Sequence, residues 1–111
     1  MGVIRAADIT AEEIAPKRKR YLTHTDNLMV VVLDFNDGPT EKPDPPHSHP
    51  HEQISYVVSG ELLFFIDGEP TRMSPGDLVT IPPDAPHTVQ LLSPRVRLVD
   101  TFHPIREDFL K

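Results

Sequence analysis

His47-Ser48-His49-Pro50-His51-Glu52-Gln53-Ile54-Ser55-Tyr56-Val57-Val58-Ser59-Gly60 is the stretch on which the reading of this chain turns. Three of the six histidines fall within five residues, at alternate positions, and an extended backbone directs alternate side chains to one side. A strand presents metal ligands in this way. A second polar anchor comes later, in Pro82-Pro83-Asp84-Ala85-Pro86-His87, where a histidine follows a proline-rich turn and opens an apolar run. A site made from both segments ties the two halves of the chain together.

Short strands extend outward from this stretch. Downstream, Glu61-Leu62-Leu63-Phe64-Phe65-Ile66 runs into Asp67-Gly68, a hairpin turn signal, so strands flank the corners at Ser59-Gly60 and Asp67-Gly68. Ser74-Pro75-Gly76-Asp77 is a further turn, followed by the strand Leu78 to Ile81, the Pro82 to Pro86 bend, and the strands Thr88 to Leu92 and Val96 to Phe102. Upstream, Leu28 to Phe35 is the most continuous β-branched run, and His24-Thr25-Asp26-Asn27 separates it from Lys17 to Thr23. A hairpin follows, with Asn36-Asp37-Gly38 closing it. The four prolines between Pro39 and Pro46 make an irregular loop leading up to the histidines.

Lys17 to Thr23 is expected as an edge strand whose charges discourage sheet-to-sheet association, and Arg18 and Arg20 share a face from which one can turn towards a ligand. Residues 1–16 are the least determined segment. Within it, Asp8 to Ile14 is expected to make one helical turn, with Thr10 capping, Glu13 completing the box and Pro16 ending it. Residues 17–111 are expected to form the single domain. Short strands with turns at this spacing indicate an all-β sandwich or barrel.

Composition narrows the functional classes. The 111 residues suffice for one domain that buries roughly two thirds of its unfolded surface. A net charge of -6 argues against a general nucleic-acid binder, because phosphate neutralisation needs a basic surface. Small molecules are the better partners. The absence of cysteine excludes disulfides and thiolate ligands, so a metal must be held by nitrogen and oxygen. The first residues lack the apolar core of a signal peptide and no stretch approaches transmembrane length, so no membrane association and a cytoplasmic location are expected.

The spacings resemble those of the cupins. His47-x-His49, three residues, Gln53, six residues, Gly60 resembles the first cupin motif, with glutamine where many members carry glutamate. Gly76, five residues, Pro82-x-Asp84-x-x-His87 resembles the second, with Asp84 at a usual glycine and Leu91 at a usual asparagine. Gly38 stands farther from His47 than the pattern expects, which lengthens the proline-rich loop. The resemblance implies a cupin double-stranded β-helix, or jelly-roll, barrel holding one divalent metal ion, whether nickel, zinc, manganese, iron or cobalt. It implies His47, His49, Gln53 and His87 as the ligands. Three imidazoles and one amide oxygen are four neutral donors, one negative charge fewer than with glutamate, which sharpens the Lewis acidity of the ion. His51 falls outside the pattern and is expected in a supporting or surface role.

In Val96-Arg97-Leu98-Val99-Asp100-Thr101-Phe102, alternation puts Asp100 on the same face as Val96, Leu98 and Phe102. A carboxylate among apolar neighbours is costly unless paired or functional, and desolvation raises its pKa. Asp100 is therefore either an acid-base group or the fixed end of a structural hydrogen bond. The run Asp100-Thr101-Phe102-His103-Pro104-Ile105-Arg106-Glu107-Asp108-Phe109-Leu110 is similar to the tail of the KdgF-type pectin-degradation cupins, which linearise 4,5-unsaturated uronates. That resemblance implies Asp100 as catalytic, Phe102 and Arg106 near a sugar-acid substrate, and a homodimer. For Arg106 a surface ion pair with Glu107 or Asp108 stands as the alternative. Two other functions stay open: a different metal-dependent cupin enzyme, such as a dioxygenase or isomerase, and a non-catalytic sugar-binding or sensor cupin.

Overall fold

The structure, a computed structural model, describes residues 2–110; Met1 and Lys111, the last residue of the expected domain, lie outside the described residues. Nine strands follow in chain order: β1 (Glu12–Ala15), β2 (Arg18–His24), β3 (Met29–Phe35), β4 (Glu52–Ser59), β5 (Leu62–Ile66), β6 (Glu69–Met73), β7 (Leu78–Ile81), β8 (His87–Leu91) and β9 (Val96–His103). One short 3₁₀ helix, Glu107–Leu110, comes after them. All pairings are antiparallel. They build a six-stranded sheet in the order β1-β2-β3-β9-β4-β7 and a three-stranded sheet in the order β6-β5-β8. This is an all-β jelly roll, the fold that the resemblance to the cupins implies.

Alternation along each strand decides which side faces the core. On β4, Gln53, Ser55 and Val57 are buried while Ile54, Tyr56 and Val58 face outward; on β9, Val96, Leu98, Asp100 and Phe102 are buried. Two apolar clusters result. The larger holds Val57, Leu62, Ile81, Leu91, Val96 and Leu98 between the sheets, and the smaller gathers Met29, Val31 and Phe102 beneath Ile105 and Phe109. Inward polar groups are thereby fixed between two apolar floors.

The corners carry their own reasons. Asp67 and Gly68 both take positive φ, 51° and 81°, as the two-residue β5–β6 hairpin requires. Gly60, at φ +81°, turns the chain out of β4; a Cβ there would run into the Arg95 carbonyl and the Val96 side chain. β4 and β5, which flank that corner, belong to different sheets and do not pair. The Asn36 amide donates to the Lys17 carbonyl at 2.8 Å, closing the open end of the β2–β3 hairpin as expected.

The N-terminal expectations need two corrections. In place of a helical turn over Asp8 to Ile14, the chain makes a tight turn closed by the Asp8 amide on the Arg5 carbonyl at 2.9 Å, and Glu12–Ala15 then runs as β1. A lone helical turn pays the nucleation cost for very few hydrogen bonds, whereas β2 offers a ready ladder edge. The second correction follows from the first. β2 lies inside the sheet, and β1 takes the edge that Lys17 to Thr23 was expected to occupy. The two arginines of β2 are met by acidic partners, Arg18 by Asp37 and Asp44, and Arg20 by Glu12, which accepts from it at 2.7 Å.

Candidate metal centre and cavity

His47 and His87 are placed by backbone pairing. The His47 amide donates to the His87 carbonyl at 3.1 Å and the His87 amide returns a bond to the His47 carbonyl at 2.9 Å, so two segments forty residues apart are locked side by side. Their rings lie 4.3 Å apart, centre to centre. His49 is held from the other side, its carbonyl accepting from the Asp84 amide at 2.8 Å. Asp84 sits at φ 67°, the left-handed conformation that explains a glycine as the usual residue there and that aspartate tolerates better than most. The result is a cluster in which one ring nitrogen from each of His47, His49 and His87 lies within 4.8 Å of the others.

Hydrogen bonding leaves lone pairs in this cluster without donors. His87 donates its Nδ1 proton to the Ala85 carbonyl at 2.9 Å, which leaves Nε2 as a bare lone pair; that atom is buried and has no partner among the described residues. His49 repeats the pattern. Its Nδ1 faces the His51 carbonyl at 2.9 Å and its Nε2 faces the Gln53 Oε1 at 2.9 Å, so both nitrogens of one imidazole meet acceptors. A neutral ring has one proton to give. With that proton on Nδ1, the Nε2 lone pair and the amide oxygen point at each other, an arrangement that a shared cation relieves. Burial pushes the pKa of His47 down to about 4 and that of His87 below its usual value, the neighbouring imidazoles adding to both shifts. Both rings are therefore neutral at neutral pH. His47, His49, Gln53 and His87 fit a divalent metal by donor chemistry and by these unmet lone pairs.

Gln53 extends the site inward. Its Nε2 donates to Ser55 Oγ at 2.9 Å, and Ser55 Oγ donates to Asp100 Oδ1 at 2.6 Å. The chain His49, Gln53, Ser55, Asp100 is buried throughout. Desolvation raises the Asp100 pKa to about 6, against the downward pull of hydrogen bonds from Ser55 and Gln53 and the positive charge of Arg106. Ser55 was not singled out in the sequence, although it shares the inward parity of Gln53. A serine on the buried face of a strand was the signal.

A cavity of about 240 Å³ opens onto this chain of groups. His47, His87, Gln53, Asp100 and Phe102 line it; Arg18, Asp44 and Ile14 line it too, supplied by β2, the proline-rich loop and β1. Phe102 also packs edge-on to His49, with ring centres 5.6 Å apart. Arg106 does not line the cavity. It makes a two-pronged pair with Asp108 at 3.0 and 2.8 Å and lies over the rings of Phe102 and Phe109, at 5.3 and 4.2 Å. His51 is not one of the three clustered histidines, although its ring lies 5.5 Å from that of His49, and its carbonyl meets the His49 Nδ1.

Residues 35–102 match the cupin domain family. The chain is 35% identical over 94 residues to the pectin degradation protein KdgF of Dickeya dadantii, covering 84% of this chain and 83% of that protein. In three dimensions it is similar to a RmlC-like cupin from Shewanella frigidimarina, with a TM-score of 0.88 and 32% identity, covering 98% of this chain and 96% of the other. It is equally close to KdgF from Halomonas sp., with a TM-score of 0.87 and 32% identity, covering 98% and 99%. With matching motifs, jelly-roll topology and histidine cluster, the chain belongs to the cupin family and resembles its pectin-degradation branch.

Proposed function

We propose that this protein is a metal-dependent cupin enzyme that opens and ketonises 4,5-unsaturated uronates released by pectin or alginate breakdown. The observation that carries the reading is Asp100: a buried carboxyl with a raised pKa, lining the same cavity as two of the clustered histidines. Similarity to two proteins named KdgF supports the substrate class. His47, His49, Gln53 and His87 would hold the metal, which supplies positive charge for a substrate carboxylate and a developing enolate.

In the reaction the anomeric hydroxyl loses its proton, the bond between C1 and the ring oxygen breaks, and an aldehyde at C1 and an enolate at C5 result. A proton delivered to C4 then turns the enolate into a ketone. No atom is gained or lost. Asp100 takes the first proton and returns one to C4 through Oδ2, the oxygen that Ser55 does not bind. Its pKa of about 6 suits both halves of that exchange near neutral pH. Ser55 and Gln53 fix the orientation of the carboxyl, Phe102 supplies an apolar wall, and Arg106 stabilises negative charge from behind that ring. A second copy of the chain is the expected protein partner.

The test is loss of the ultraviolet absorbance of the conjugated double bond when metal-loaded protein is added to an unsaturated uronate. Asp100→Asn should retain metal by elemental analysis and slow turnover by about two orders of magnitude or more, the scale of a general acid-base group. His87→Ala should lose metal and activity together. Wild-type protein inert with each divalent metal, or Asp100→Asn at wild-type speed, would sink the reading.

A further inference from the structure

Arg18 is the one lysine or arginine, among the described residues, whose side chain lines the cavity. It is largely buried, with 15% of its side chain exposed, and its guanidinium lies over the Phe35 ring at 4.8 Å. Two carboxylates hold it in place. Nε donates to Asp37 at 3.0 and 3.1 Å, while Nη1 and Nη2 donate to Asp44 at 2.6 and 3.3 Å. A guanidinium has five N–H groups, so this pattern leaves two uncommitted. The other paired arginines, Arg20, Arg72, Arg97 and Arg106, stand outside the cavity.

Asp44 is not anchored through its carboxylate alone. Its amide donates to the Val89 carbonyl at 3.0 Å and its carbonyl accepts from Thr88 Oγ1 at 2.8 Å, so the loop is pinned to β8 by main-chain groups. The Asp44 carboxylate is 35% exposed and can leave for solvent without releasing the loop. Asp37 meanwhile keeps the arginine extended.

We propose that Arg18 is the residue that reads the substrate carboxylate, with Asp44 as an internal competitor that occupies the guanidinium until the substrate replaces it. The proposal rests on the uronate reading given above and names the group that selects the acid over the neutral sugar. A planar fork beside an aromatic ring in this cavity is suited to a two-pronged carboxylate contact, which an ammonium cannot make. Asp37 and Asp44 would repel an incoming anion if Arg18 were absent. Arg18 and Asp44 should therefore act on affinity in opposite directions.

The experiment is calorimetric binding of galacturonate, an unreactive saturated uronate, and of galactose, its neutral counterpart, to metal-loaded wild type, Arg18→Gln, Arg18→Lys and Asp44→Asn. Arg18→Gln should weaken galacturonate binding about ten- to hundredfold, the scale of a charge-assisted hydrogen-bonded contact. Arg18→Lys should recover only part of this. Asp44→Asn should tighten galacturonate severalfold, and galactose should respond to none of the three. In turnover, the Arg18→Gln defect should fall more on KM than on kcat. If both substitutions weaken galacturonate and galactose alike, Arg18 and Asp44 only brace the loop and the proposal is wrong. Arg18-dependent galacturonate binding without turnover of any unsaturated uronate would overturn the proposed reaction alone. Turnover with binding indifferent to Arg18 would overturn this inference alone, and wild type that neither binds galacturonate nor turns over unsaturated uronates would overturn both.

Discussion

Asp100 is the residue whose chemistry and stability pull in opposite directions. Its folded pKa, raised to about 6 from 3.8, means that the folded protein holds a proton that the unfolded chain releases between those values. The contribution to stability is therefore complete below pH 3.8 and lost as pH rises through 6. Asparagine can still accept the Ser55 hydroxyl but carries no charge to desolvate. Thermal melts of metal-free Asp100→Asn and wild type should thus diverge in favour of the variant as pH rises from 4 to 8, most steeply up to pH 6. A difference independent of pH would mean that burial does not raise the carboxyl's pKa above its unfolded value. The inward parity of Asp100 was legible from Val96, Leu98 and Phe102, since period-two alternation needs nothing beyond the strand itself. The bond from Ser55 was not, because β4 and β9 meet only through tertiary pairing.

Among the elements, β4 does the most to position the site. It presents Gln53 and Ser55 inward, pairs with β7 and β9 on its two sides, and ends at Gly60. An added methyl group at Gly60 meets the Arg95 carbonyl in a conformation that already disfavours any side chain. Gly60→Ala should therefore destabilise the fold by at least about 1–3 kcal/mol, the scale of a forced backbone conformation, as read from denaturant unfolding. Loss well below that would show that the corner can relax. The turns at Asp67-Gly68 and Ser74 to Asp77 could be read locally because φ requirements and short-range bonds act within four residues. The strand at Glu12–Ala15 escaped because its reason lies in β2, not in its own residues; Glu12 and Glu13 favour helix capping as readily as an edge ladder.

For the whole molecule, the outer face of the large sheet is the feature with no role in the cavity. Register aligns Leu78, Tyr56, Val99, Val32 and Tyr21 in one row across five strands, flanked by Ile54 and Val30 in the next. Leu78 is 66% exposed and Tyr56 40%. The row itself carries no charged side chain, and Arg97, which reaches over Tyr21 at its β2 end, is already paired with Asp34, so a second copy can cover the row without desolvating an unpaired ion. Light scattering should give a dimer for the wild type and a monomer for Tyr56→Arg, with the fold retained by circular dichroism. A monomeric wild type would leave this face without its expected partner. At the other end of the same sheet, β1 brings Ile14 to the cavity, so the first strand of the chain is also one of its walls. For anyone preparing this protein, that makes the amino terminus a poor place for economy. Trimming to residue 17 to obtain a tidier expression product would take away Ile14 and leave that cavity open beside Arg18.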